Sequence, residues 1–157
     1  QNVLNTDKKL DAYDSGRIYY YLGDYQKAYL ALEEAKGKGG VDSYLYLGKA
    51  YAATGDYNYA SSVYSNYLSK QGPDAEIYNQ LGLCELAKKD YQKALEAFQA
   101  GKQIEGNSLM QTLSFNEIVA YEYLQDYQKA AVLLKAYLQN YPDDQAAIRE
   151  QQFLSTR

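Results

Sequence analysis

The sequence predicts an all-α protein, a solenoid of antiparallel helix pairs. Three observations predict it: a short phrase is written four times, apolar residues on both sides of each phrase recur at helical spacing, and glycines or prolines separate successive pairs. The phrases are Gly23-Asp24-Tyr25-Gln26-Lys27-Ala28, Gly55-Asp56-Tyr57-Asn58-Tyr59-Ala60, Lys89-Asp90-Tyr91-Gln92-Lys93-Ala94 and Gln125-Asp126-Tyr127-Gln128-Lys129-Ala130. From tyrosine to tyrosine the steps are 32, 34 and 36 residues, a period that belongs to helical repeat arrays.

Each phrase reads as a tight turn entering a helix. An aspartate just before the tyrosine can accept hydrogen bonds from the first unpaired amides and sits at the positive end of the helix, so Asp24, Asp56, Asp90 and Asp126 are predicted N-caps. Behind each cap runs the second helix of a pair, carried by Ala28, Leu32 and Ala35, by Ala94, Leu95 and Phe98, and by Ala130, Leu134 and Tyr137. Ahead of each phrase runs a first helix, carried by Ile18, Tyr19 and Leu22, by Tyr44, Leu47 and Tyr51, by Tyr78, Leu81 and Leu86, and by Phe115, Val119, Tyr121 and Leu124. Breakers fall at Gly37 to Gly40, Gly72-Pro73, Gly101 to Asn107 and Tyr141-Pro142, where glycine entropy or a missing amide disfavours helix. The pairs are therefore expected at about 7–37, 41–70, 74–103 and 108–140, within a single domain over 1–157. Asp143-Asp144 can cap one more helix, 143–155, whose apolar side would be Ala147, Ile148 and Leu154 and whose polar side suits the outer end of an array.

These residues resemble the tetratricopeptide repeat, whose pattern is aromatic-x2-Leu-Gly-x2-Tyr, then Ala-x3-aromatic, then Pro. The second copy fits best, with Tyr44-x2-Leu47-Gly48-x2-Tyr51, Ala60-x3-Tyr64 and Gly72-Pro73. The third keeps Tyr78-x2-Leu81-Gly82 and Ala94-x3-Phe98 but has Glu85 at the tyrosine place. The first keeps Gly16-x2-Tyr19 and Ala28-x3-Leu32, with Ala12 and Ser15 at the aromatic and leucine places; the fourth keeps Tyr121, Ala130-x3-Leu134 and Pro142 but has Ile118 at the glycine place. The resemblance spans roughly 7–142. It implies a right-handed superhelix whose first helices line a concave face that binds protein.

Composition narrows the chemistry. There is no histidine and one cysteine, Cys84, which removes histidine-based acid–base catalysis, thiolate metal clusters and an internal disulfide. No enzyme, metal or cofactor is expected. Adjacent carboxylates at Glu33-Glu34 and Asp143-Asp144 point ~100° apart on a helix and do not face one substrate. Cys84 reads as a small buried hydrophobe. The glycine pairs match no phosphate-loop pattern. The 16 basic residues are scattered among 20 acidic ones for a net charge of −4, which speaks against nucleic acid, and no apolar run is long enough to span a bilayer. The row opens Gln1-Asn2-Val3 without methionine or leader, so the chain reads as a processed or excised piece, and its tyrosine-rich, histidine-free make-up leans toward an exported or surface-tethered bacterial protein.

Twenty tyrosines remain to be placed. Tyr19, Tyr51, Tyr64 and Tyr121 take core places of the repeat, and Tyr25, Tyr57, Tyr91 and Tyr127 open second helices, so these eight are assigned to packing. On the opposite face of the first helices fall Tyr13, Arg17 and Tyr20, with Tyr21 beside them, then Tyr46 and Lys49, Asn79 with Leu83, and Asn116 with Val119 and Tyr123. Tyr13, Arg17, Tyr20, Tyr46, Lys49, Asn79, Asn116 and Tyr123 are the candidate lining for a peptide or partner protein. The lysines and asparagines that clamp a terminal carboxylate in some family members are not matched, because Tyr13, Tyr46 and Gln80 stand at or near those places. The alternative readings are ordinary surface tyrosines, and a spacer or self-association unit that dimerises through its terminal helices near Ile148 and Phe153.

Overall fold

A computed structural model describes residues 10–157. The first three residues of the earliest predicted pair, 7–9, lie outside them. Among the described residues there are nine α-helices and no strand: α1 (Ala12–Tyr21), α2 (Tyr25–Ala35), α3 (Gly40–Ala53), α4 (Tyr57–Gln71), α5 (Ala75–Ala87), α6 (Tyr91–Lys102), α7 (Met110–Tyr123), α8 (Tyr127–Asn140) and α9 (Gln145–Leu154). They form four pairs and a terminal helix. The chain divides into two compact units, one ending at Gly72 with α1 to α4 and one running Pro73–Arg157 with α5 to α9.

The four phrase aspartates start the second helices as their chemistry requires. The carboxylates of Asp24, Asp56, Asp90 and Asp126 accept the backbone N–H of Lys27, Tyr59, Lys93 and Lys129 at 3.2, 3.0, 3.4 and 3.1 Å, and losing such a cap costs a helix about 0.5–2 kcal/mol. The residue before each aspartate turns the chain through the left-handed region. Gly23 and Gly55 do so at φ 76° and 84°, whereas Lys89 and Gln125 occupy the same place at 65° and 63° and bear the side-chain crowding that glycine avoids.

Close approach within a pair depends on a missing Cβ. At Gly16, Gly48 and Gly82 an added Cβ would overlap the Leu32 side chain, the Tyr64 ring and the Phe98 ring of the paired helix. Those three partners are fully buried. In the fourth pair Ile118 stands in the glycine place and is itself buried, packed with Ala130, Leu134 and Tyr137 of α8 and with Ala147 and Leu154 of α9. The extra methyls that would obstruct a glycine-type contact here become core.

Two expected features come out differently. Leu22, assigned to the core stripe of the first helix, is 62% exposed, because α1 ends at Tyr21 and Leu22 is its C-cap, turned outward ahead of Gly23. Gly101, read as part of a breaker, lies inside α6 and is buried, where its bare Cα lets Leu113 and Tyr78 come close.

The terminal helix is held by its cap and its apolar side. Asp144 accepts the N–H groups of Ala146 and Ala147 at 3.0 and 3.2 Å and the Tyr137 hydroxyl at 2.5 Å. On the same helix Glu150 faces Glu122 of α7, and burial together with that neighbouring carboxyl pushes the Glu122 carboxyl up to about 8. A carboxyl whose folded pKa exceeds its unfolded value adds stability below the unfolded pKa and loses it as pH climbs through the folded one.

Two outcomes follow from these contacts. Gly82→Ala is expected to destabilise the protein by about 1–3 kcal/mol, as overpacking against an immobile ring does, seen as a lower urea midpoint at unchanged slope. An unchanged midpoint would mean the pair has slack at Phe98. The melting temperature of the wild type should decline as pH rises from about 4.5 through about 8, and Glu122→Gln should flatten that part of the profile. The same decline in wild type and variant would place the titrating group elsewhere.

Candidate functional site

In the first unit α1 and α3 bring most of the candidate lining into one aromatic cluster. The Tyr46 ring on α3 lies 6.4 Å from Tyr13, 5.5 Å from Tyr20 and 5.9 Å from Tyr21, each contact near edge-to-face at 70°, 74° and 69°. Tyr20 also meets Tyr21 at 5.7 Å and Tyr25 at 5.6 Å. The helical repeat explains the grouping: Tyr13, Arg17, Tyr20 and Tyr21 are one and two turns apart on α1, so their side chains fall along one strip. Edge-to-face packing suits the ring quadrupole and fixes neighbouring rings relative to one another.

Arg17 is wedged into this cluster. Its guanidinium carbon sits 5.3 Å from the Tyr13 ring centre and 5.5 Å from that of Tyr46, and its Nη1 lies 3.8 Å from the Asp14 carboxylate. The hydroxyls of Tyr21 and Tyr46 are 2.6 Å apart. Burial raises the pKa of Tyr13, with Asp42 adding to it, and of Tyr20; the hydrogen bond to Tyr46 raises that of Tyr21. At neutral pH all three phenols therefore keep their protons. Lys49 lies one turn beyond Tyr46 on α3 and is half-buried.

The second unit treats its share of the lining differently. Asn116 of α7 donates through Nδ2 to Oδ1 of Asn79 on α5 at 2.9 Å, and Asn79 is only 5% exposed. Tyr123 is 54% exposed and stacks on Tyr91 at 4.8 Å with the rings 14° from parallel. Asn79 thus has its carbonyl spent on its neighbour, while Tyr123 presents a ring face.

Other candidate groups are absorbed by packing. Cys84 is buried and burial pushes its thiol up to about 11, which suits a structural cysteine. Glu33 accepts the Tyr51 and Tyr59 hydroxyls at 3.3 and 3.2 Å and joins α2 to the next pair. Glu117 takes the place that Leu47 and Leu81 hold in other copies, and it is buried with Lys102 at 2.5 Å and Gln99 at 3.0 Å. Beside that ion pair a cavity of about 240 Å³ opens onto Ile118, Leu133, Tyr137 and Tyr141, smaller than the ~300–1,000 Å³ of small-molecule sites. Among the described residues no three histidine, cysteine or acidic side chains gather to hold a metal ion, and no helix is long and apolar enough to cross a membrane.

Sequence reasoning left Tyr21 at the margin and gave Tyr25 to packing, yet both belong to the cluster. Three consecutive tyrosines at the end of a first helix, Tyr19 to Tyr21, followed four residues later by Tyr25, were the available signal. Of the eight tyrosines assigned to packing, Tyr64 is fully buried, whereas Tyr57 is at the surface.

Two tetratricopeptide-repeat models match the chain, over residues 45–108 and 115–144. The chain belongs to the tetratricopeptide repeat family. No curated protein matches it. Among solved structures it is similar to a crystal structure of MamA protein, at a TM-score of 0.79 and 21% identity over 91% of this chain and 78% of that one. A MamA RS-1 ArsTM double mutant superposes at 0.81 and 19% identity, covering 93% and 82%, and a MamA AMB-1 structure at 0.74 and 23%, covering 92% and 86%. These likenesses agree on the fold. Tetratricopeptide repeats are typically non-catalytic and imply protein partners.

Proposed function

We propose that this chain is a protein-interaction module that catalyses nothing and receives a peptide or partner surface on its first helices. Tyr13, Arg17, Tyr20, Tyr46 and Lys49 serve in the first unit, and Asn116 and Tyr123 in the second, with Asn79 buried behind Asn116 as its hydrogen-bond partner. The observation that carries the reading is the cluster around Tyr46, where four tyrosines and an arginine meet on α1 and α3 outside the glycine-packed core. Rings already held against one another lose little freedom when a partner docks, and tyrosine and arginine are the residue types that dominate binding energy at interfaces.

A second reading, self-association through the terminal helix, draws on Phe153, which is 41% exposed on α9 with the Arg157 guanidinium 4.5 Å over its ring. An exposed aromatic at the end of an array is where a second copy could stack.

Selection from a displayed random-peptide library separates the two. The wild type should enrich a recurring sequence, and the combined variant Tyr13→Ala, Tyr20→Ala, Tyr46→Ala, Tyr123→Ala should bind that peptide at least tenfold more weakly, about 1.4 kcal/mol, with its helical circular dichroism retained. Equal binding by the folded variant would sink the first-helix assignment. No enrichment, together with a solution mass that climbs with concentration, would transfer the function to the terminal helix.

A further inference from the structure

We propose that the cavity beside the Lys102–Glu117 ion pair receives one tyrosine side chain of a partner protein. This rests on the reading of the chain as a protein-interaction module but uses none of the residues assigned to binding above.

The repeat itself shows what the space is shaped for. Thirteen residues ahead of the phrase tyrosine, the second and third pairs carry Tyr44 and Tyr78, whereas the fourth carries Ser114. In the second pair the Tyr44 ring is buried and stands 5.1 Å from Tyr67 of α4, at 63° to it. The counterpart of Tyr67 in the fourth pair is Tyr137 of α8, each ten residues beyond its phrase tyrosine. The fourth pair thus keeps the receiving ring and lacks the ring that fills the space, and Ser114 and Tyr137 both line the cavity. Phe115 packs on Tyr137 at 5.7 Å but lies outside the cavity wall, so it does not take the place of Tyr44.

Size and surroundings agree with this shape. An apolar cavity of about 150 Å³ accepts a benzene ring, and this one, at about 240 Å³, has room for a phenol. Ile118, Leu133 and Ala136 give it apolar sides. Tyr137 offers a ring to pack on, its hydroxyl already bonded to Asp144. Met110 and Asn140 also stand in the wall and are exposed, so a side chain can enter from solvent.

The polar end of the cavity selects a phenol over other side chains. Glu117 is satisfied on both oxygens, by Gln99 and by Lys102, while the Lys102 ammonium has three N–H groups and can donate again. An entering lysine or arginine would meet that ammonium, and an entering carboxylate would compete with buried Glu117 for it. A hydroxyl carries no charge to desolvate and can accept from Lys102. A leucine would fill part of the space and leave that hydrogen bond unmade.

Met110 is the one methionine of the chain and lines the cavity, so its isotopically labelled methyl group reports on this site. Titrating the full chain with N-acetyl-tyrosinamide, a tyrosine side chain on a capped backbone, should shift that resonance saturably. N-acetyl-leucinamide and N-acetyl-lysinamide should each bind at least fivefold more weakly, and free tyrosine, with its charged ends, should bind no better than the capped form. Ser114→Tyr, which supplies the ring from within, should raise the urea midpoint and weaken tyrosinamide binding at least tenfold; Ser114→Leu, a smaller plug, should weaken it too and guards against misfolding of the first. The absence of a saturable shift, equal binding of the leucine or lysine compound, tighter binding of free tyrosine, or undiminished binding by a folded Ser114 variant would overturn the proposal. If Met110 is silent while the library-selected peptide still depends on the first-helix tyrosines, the cavity site falls and the first-helix face stands. If Met110 responds as expected and the library selection yields nothing, the cavity site stands and the first-helix assignment falls.

Discussion

The structure depends on a Cβ that is missing from one helix of each of the first three pairs. Gly16, Gly48 and Gly82 let Leu32, Tyr64 and Phe98 press against bare backbone, and each pair thereby closes with a single large side chain as its wedge. A thin array has no deep interior in which to bury more, so the burial available to each pair is small and must be packed densely. The fourth pair reaches the same end by another route, with Ile118 filling the space from the opposite side and the terminal helix covering it.

Closing the pairs in this way takes few tyrosines. The core accepts Tyr44, Tyr64 and Tyr137, and rings on the other face of α1 are left to pack among themselves. Their mutual edge-to-face contacts and the inserted Arg17 give them fixed positions without a core. The glycine contact sets which face of a first helix is consumed, and on α1 and α3 the remaining face carries the rings packed around Tyr46.

The fold was legible because its signals are local. An N-cap needs one aspartate and the next turn, so Asp24, Asp56, Asp90 and Asp126 could be read from four residues each, and the glycine-to-ring pairing lies within a single repeat. Leu22 and Gly101 were misread for a related reason: a one-residue difference in where a helix stops decides whether a leucine points inward, and a glycine followed by lysine looks the same inside a last turn as beyond it. The candidate site was only half legible. Helical spacing could place Tyr13, Arg17 and Tyr20 on one strip, but their meeting with Tyr46 depends on how α1 sits against α3, and Asn79 could not be seen to be buried until Asn116 lay across from it. Glu117 carried a visible signal, a carboxylate where other copies have leucine, whose partners Lys102 and Gln99 come from the preceding helix.

The central claim is that recognition belongs to the face the glycine contacts leave free. Nuclear magnetic resonance of the full chain with labelled tyrosine rings, recorded with and without a saturating selected peptide, tests it most directly. The account predicts shifts concentrated on Tyr13, Tyr20, Tyr21 and Tyr46, with Tyr29, Tyr51 and Tyr59, which stack around Glu33, unmoved. Shifts centred on those three rings, with the Tyr46 cluster silent, would contradict it.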